Sequence, residues 1–275
     1  MRFCKEYPFN NNIKGFELGW SLAGPPLMTV YFYLFGHTMI DTGQSNMRRE
    51  ILTIARDNRI KQIFLTHHHE DHSGNAAAIK EMLGAKVSGH CLSREKLKNA
   101  YSILPYQKYV WGKTTPLELD DFTEPIETEL GKMAAIHTPG HSKDHNVFFL
   151  QDQGILFSGD IYLGDKIKFF RSDENIGLQI DSLRKLALLD FDILLCAHNP
   201  KQKNGKNHIC AKLDFLENLY GSIIELWKKG FDEKEIFRLL QLKESYFIKY
   251  FCFCNVSMIN GVRSAVRHYE SVDKI

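Results

Sequence analysis

Residues 63–75 read IFLTHHHEDHSGN, an apolar run that ends at Thr66 and gives way at once to four histidines and two acids. A solvated histidine-rich loop or a polyhistidine tract would constrain the fold little. A metal site would constrain it strongly, because its remaining ligands must converge on the same place. His67, His69, Asp71 and His72 form the pattern HxHxDH, and neutral imidazole with carboxylate is the donor set that borderline divalent ions prefer. Alternate side chains of an extended segment, His67 and His69, can meet at one ion, while the adjacent Asp71 and His72 turn towards a second.

The metal reading requires partners elsewhere in the chain, and three candidates occur in equivalent settings. The loop TPGHS supplies His141, ILFSGD supplies Asp160 and ILLCAH supplies His198. Each follows an apolar strand-like segment and sits at or just beyond its C-terminal end, where open α/β architectures build their sites.

The sequence around these loops repeats itself in content. The first hundred residues carry strand-like runs at LMTVYFYLFG, HTMIDTG, KQIFLTH and AKVSGH, with helices expected over 45–58 and in GNAAAIKEMLG, which stops at Gly84. Residues 98–125 are irregular and aromatic and read as a long surface segment over the core. Strand signals return at GKMAAIHTPGH, HNVFFLQD, GILFSGD and FDILLCAH, with a helix over 175–189 before the last. Beyond residue 208 only amphipathic helical segments follow, one opening on Asp232 and Glu235 in capping-box spacing. The expected division is a catalytic domain over 1–208 and a helical C-terminal appendage over 209–275.

Composition narrows the class further. The 275 residues carry a formal net charge of +2, too small for a dedicated nucleic-acid binder with a basic face. The N-terminus has no apolar signal region and the longest apolar stretch, Leu27 to Phe35, cannot span a bilayer, so a cytoplasmic setting without membrane partners is expected. The six cysteines lack zinc-ribbon or redox-motif spacing and read as reduced, mostly small buried side chains.

The ordered set, Asp41 in DTG, then THHHEDHSG, TPGHS, SGD and AHN, resembles the metallo-β-lactamase fold superfamily over roughly residues 25–200. The resemblance implies an α/β (α+β in some schemes) four-layer αββα sandwich made of two similar halves, with two metals in a cleft at one edge of the sheets. Carried over, His67, His69 and His141 would hold the first metal, Asp71, His72 and His198 the second, with Asp160 bridging and Asp41 supporting the ligand loop. Zinc is the expected metal, with iron or manganese as alternatives. His68 and Glu70 fall at variable positions and read as spacers. His37, His90, His208 and His268 read as ordinary surface or core histidines. His137 and His145 flank the His141 loop, and His145 is a candidate to order the site or move protons.

The implied reaction is hydrolysis by a hydroxide shared between two metals, with Asp71 orienting it and His145 or Tyr162 as candidate acids for the leaving group. THHHEDHSGN is similar to thioesterases of the glyoxalase II group, although AHNP stands where they carry GHE. TPGHSKDH and SGD are similar to an endoribonuclease-like subgroup. A small anionic ester or thioester is the leading substrate class; an RNA phosphodiester and a lactone are alternatives, a redox or non-catalytic member is a third class, and a homodimer is left open. Cations follow three ligand loops: Lys143 after His141, Lys166, Lys168 and Arg171 after Asp160, and Lys201, Lys203 and Lys206 after His198. They read either as a basic rim for an anionic substrate or as solvated loop residues.

Overall fold

The computed structural model describes residues 1–10, 12–99, 101–121 and 124–272. In the first half the strands are β1 (Arg2–Pro8), β2 (Lys14–Trp20), β3 (Thr29–Phe35), β4 (Thr38–Ile40), β5 (Gln62–Phe64) and β6 (Lys86–Ser88), and the helices are α1 (Arg48–Asp57), α2 (Glu70–Ser73), α3 (Ala76–Leu83), α4 (Arg94–Lys98) and α5 (Pro105–Val110). The second half adds β7 (Ile126–Thr128), β8 (Gly131–His137), β9 (Asn146–Leu150), β10 (Ile155–Gly159), β11 (Phe170–Arg171), β12 (Ile193–Cys196) and β13 (Val256–Ser257). Its helices are α6 (Ile176–Ala187), α7 (Gly205–Lys228), α8 (Glu233–Leu239), α9 (Tyr246–Phe251) and α10 (Ile259–Val272).

One sheet has the order β1-β2-β3-β4-β5-β6 and the other β12-β10-β9-β8-β7, with β11 and β13 as a separate pair. In each large sheet the antiparallel ladder turns parallel towards the site: β4 with β5 and β5 with β6 in one, β10 with β12 in the other. Parallel neighbours send their C-terminal ends to the same side, so the loops after β4, β5, β10 and β12 gather there.

Alternation along the strands builds three cores between four layers. In β9, Phe148 and Leu150 face Phe35, Ile40 and Phe64 of the other sheet, while Val147 and Phe149 face the helices behind. In β12, Leu195 joins the core between the sheets, and Leu194 and Cys196 join the outer one. Both faces of these strands are buried, which is why the sequence reads as continuous apolar runs there. The outer face of the first sheet is covered by α1 and α3 through Ile51, Ala55, Ala76 and Ile79.

Several expectations need correction. The 208/209 boundary falls inside α7, whose Ile209, Leu216 and Ile223 share one core with Leu156, Leu183 and Val262. The C-terminal helices α7, α8 and α10 therefore pack as the outer layer of the second sheet, while Phe251 of α9 packs against the first-sheet core beside α5. Residues 98–125 are no mere covering: Val110, Trp111, Leu117 and Leu119 are buried in the core under the first sheet, while 100, 122 and 123 lie outside the described residues. The helix expected over 45–58 begins as a 3-10 turn at Ser45–Met47 before α1, and that over 175–189 ends at Ala187. The strands β1 and β2 were not expected, because β1 is an edge strand, largely exposed and without an apolar face. All six cysteines are unpaired, but only Cys196 and Cys252 are buried. Among the described residues no helix is long and apolar enough to cross a membrane.

Candidate metal centre

At the shared end of the strands the seven expected ligands meet in two groups, His67, His69 and His141 in one and Asp71, His72, Asp160 and His198 in the other. In the first, Nδ1 of His69 lies 2.8 Å from Nε2 of His67 and 3.1 Å from Nε2 of His141. In the second, Nε2 of His72 lies 3.4 Å and Nε2 of His198 lies 3.5 Å from Oδ1 of Asp160. Asp71 Oδ2 is 3.5 Å from the same nitrogen of His198. Asp160 spans the groups, because its other oxygen, Oδ2, is 3.4 Å from Nε2 of His141.

For His67, His72, His141 and His198, the partner on the far side of the ring explains why Nε2 faces inward, whereas His69 turns Nδ1 inward and its buried Nε2 has no hydrogen-bond partner among the described residues. His72 Nδ1 donates to Asp41 Oδ2 at 2.8 Å, His141 Nδ1 to Glu174 Oε1 at 2.8 Å, and His198 Nδ1 to the Thr29 carbonyl at 2.6 Å. His67 Nδ1 meets Thr66 Oγ1 at 3.0 Å, and that hydroxyl in turn donates to Asp41 Oδ2. An acceptor behind the ring fixes the proton there and leaves the Nε2 lone pair aimed at the site. Asp41 can serve both because it follows β4 directly in the left-handed region, at φ 59°, where its carboxylate also takes the Thr66 amide.

The residues fit divalent ions. Burial, then the neighbouring imidazoles, holds His67 well below the usual imidazole range, and burial with Arg171 does the same to His69, so both are neutral donors that could bind a cation. Inward lone pairs about 3 Å apart repel unless a cation sits among them. In the second group Nε2 of His72 and Oδ1 of Asp160 are buried without a hydrogen-bond partner among the described residues. Burial favours neutral His72 and His198, but Asp41, Asp71 and Asp160 outweigh it at His72, and Asp160 and Asp71 push His198 up to about 10. The second group thus demands positive charge, from protons or from a metal.

The model of the metallo-beta-lactamase superfamily matches residues 26–198, a span that begins in the loop before β3 and ends on His198. The chain belongs to that superfamily. Among curated relatives, a hydroxyacylglutathione hydrolase of Cereibacter sphaeroides is 31% identical over 55% of this chain and 53% of its own length. The atrochrysone carboxyl ACP thioesterase AacuM of Aspergillus aculeatus is 30% identical over 54% of this chain and 42% of its own. The chain thus spans about half the length of these relatives. A metallo-beta-lactamase family protein from Thermus thermophilus superposes with a TM-score of 0.65 at 21% identity, covering 93% of this chain and 94% of its own. The metallo-beta-lactamase FIM-1 from Pseudomonas aeruginosa, in its mono-zinc form, gives 0.58 at 16% identity over 78% of this chain and 95% of its own.

Other expected residues land differently. His145 accepts the Asp160 amide on Nε2 at 3.1 Å, which places its proton on Nδ1, 2.9 Å from Thr138 Oγ1. Burial and His141 lower it to about 3, which keeps the ring neutral with both nitrogens engaged. Tyr162 is buried and donates to Asp165 Oδ1 at 2.7 Å, while burial and Asp165 push its pKa up. His68 is no idle spacer: it is buried, its Nδ1 lies 2.9 Å from Asp144 Oδ1, and its Nε2 receives the Lys96 ammonium at 2.9 Å. Glu70 is also buried, and accepts from Gln107 at 3.2 Å.

The basic rim divides. Arg171 pairs with Asp173 at 3.1 Å, and its charge reaches His69 and Glu70. Lys143, Lys166 and Lys168 are exposed on the loops that carry His141 and Asp160. Lys201, Lys203 and Lys206 leave the site, because the chain after His198 doubles back along β12: Lys201 pairs with Leu194, and the Asn204 amide reaches Asp192 Oδ1. Lys206 ends beside Gln151, Gly154 and Asp192, at the starting ends of β10 and β12 and opposite the ligands.

Glu174 and Asp144 hold His141 and His68 without a motif that announces either role. Asp144 lies inside GHSKDH, but nothing in that motif marks it as the partner of His68, and Glu174 has only its place before a helix to mark it.

Proposed function

We propose that this chain is a dinuclear metal-dependent hydrolase acting on an acyl thioester, with zinc as the first candidate metal and iron or manganese as alternatives. The observation that carries the reading is Asp160, whose two oxygens address the two ligand groups separately. His67, His69 and His141 would hold one ion, Asp71, His72 and His198 the other, and Asp160 both. The chemistry two such ions supply when bound is activation of water at neutral pH and polarisation of the bond attacked. Asp71, held charged by His72 and His198 against the cost of burial, would also orient the attacking water.

The leaving group favours a thioester. A thiolate departs from a thiol of pKa ~8.5 and needs little help from an acid, unlike an alkoxide. The two acids expected for that task are engaged elsewhere, His145 with Asp160 and Thr138, Tyr162 with Asp165. The two curated relatives are named for hydrolysing a glutathione thioester and an acyl-carrier thioester, which supports the same class. The test is a metal-reconstituted screen of thioester, lactone, phosphodiester and lactam substrates beside Asp160→Ala. Thioester turnover lost in the variant is expected; turnover that survives would remove the dinuclear mechanism.

A further inference from the structure

A recess of about 390 Å³ lies between the turn that opens α1 and the chain after α5, lined by Ser45, Arg48, Lys108, Gly112, Lys113 and Thr115. No carboxylate is among the described residues that line it. Arg48 binds only neutral acceptors, Thr115 Oγ1 at 3.3 Å and the Gly74 carbonyl and Asn75 Oδ1 at 3.4 Å each. Among the described residues neither Lys108 nor Lys113 forms an ion pair, although the chain carries nearly as many acids as bases. Three uncompensated cations around a polar hollow with hydroxyl groups in its wall match an anion with several acceptor oxygens. Gly112, at φ 85°, keeps that wall open: a Cβ there would come within 2.2 Å of Ser45 Oγ.

The recess adjoins the metal centre. Trp111 separates them: its carbonyl accepts from the Asn46 amide at 3.3 Å, and its ring centroid lies 6.1 Å from that of His198. On the other side the Arg48 guanidinium rests on Gly74, which follows the turn holding Asp71 and His72. We propose that this recess binds the phosphate of the thiol carrier whose acyl thioester is hydrolysed at the metal centre. The proposal rests on the thioesterase reading and deepens it, since it separates carriers that bear a phosphate from carriers, such as glutathione, that do not. It also moves the anion site from the expected Lys201, Lys203 and Lys206 to Arg48, Lys108 and Lys113.

The experiment compares one acyl group on pantetheine and on 4′-phosphopantetheine, in the metal-reconstituted wild type, in Lys108→Ala/Lys113→Ala and in Lys108→Arg/Lys113→Arg. Arg48 is spared because it also supports Gly74 and Asn75. The wild type should show a KM about tenfold lower for the phosphorylated carrier. The alanine pair should abolish that preference and the arginine pair restore it. Equal KM values for the two carriers in the wild type, or a preference that survives the alanine pair, overturn the proposal. Inorganic phosphate, titrated and followed by phosphorus NMR, separates the two levels. If neither thioester is hydrolysed, the thioesterase reading and the carrier assignment fall together, while phosphate binding lost in the alanine pair still marks an anion site. Absence of phosphate binding to the wild type overturns the recess itself.

Discussion

Asp41 belongs to neither ligand group, yet it decides which nitrogen of His72 faces inward. Its Oδ2 holds His72 Nδ1 and the Thr66 hydroxyl, and its Oδ1 holds the Thr66 amide, so one carboxylate sets both the tautomer and the loop. Asp41→Asn keeps the size and tolerates the left-handed backbone, but can present an N–H to His72. Metal affinity of the second group should fall about 10–100-fold and that of the first group less, because His67 meets Asp41 only through the Thr66 hydroxyl, as read by chelator competition and stoichiometry. Equal loss at both groups would refute the tautomer argument. His145 offers the reverse case. A shuttle would give the pH–rate profile a limb that His145→Gln abolishes, whereas a neutral brace predicts a lower rate on an unchanged profile. At this scale the ligands were legible because chemistry restricts them to His and Asp at strand ends. Asp144, Glu174 and the partners of His68 were not, because an acceptor behind a ring needs only proximity and leaves no spacing.

Between elements, the Asp144 carboxylate ties the loop after β8 to the loop after β5. It accepts the His68 amide at 3.0 Å, His68 Nδ1 at 2.9 Å and the Ser93 hydroxyl at 2.6 Å. Burial would raise its pKa, but His68, Ser93 and Ser142 hold it far below the carboxylate range. His68 thus faces away from the ligand group it flanks and fastens His67 and His69 to the strand-end loop that carries His141. Asp144→Ala should cost about 3 kcal/mol in denaturant unfolding, because it strands buried donors. His68→Phe should cost less when added to it than alone, since both break one link; full additivity would show the pair to be independent. Elements with two buried faces, β9, β10 and β12, were readable as apolar runs. The exposed β1 and the packed stretch around Trp111 were not, since neither carries a period of its own.

Across the whole molecule, the C-terminal helices brace the metal centre from behind. The Ser264 hydroxyl of α10 donates to the Glu174 carbonyl at 2.8 Å and receives the Ile176 amide at 2.9 Å, which fixes the residue that holds His141. Gly177 of α6 makes room for the His268 ring, which a Cβ would strike at 2.1 Å. Lys212 of α7, fully buried, donates from Nζ to the Ile161 carbonyl at 2.5 Å, one residue beyond Asp160. Burial pushes its ammonium down to about 8 against the pull of Glu174 and Asp160. In the unfolded chain the same group keeps its proton to about pH 10.4. Between those values the unfolded chain binds more protons, so raising the pH favours the folded form. Lys212→Met removes this dependence whatever else it costs. The stability of the wild type relative to Lys212→Met should therefore be flat below pH 8 and climb by about 3 kcal/mol towards pH 10.4. Thermal unfolding of both proteins across that range reads the difference directly. Parallel profiles would mean that Lys212 is not held as a buried cation, and that α7 supports the Asp160 turn by apolar packing alone.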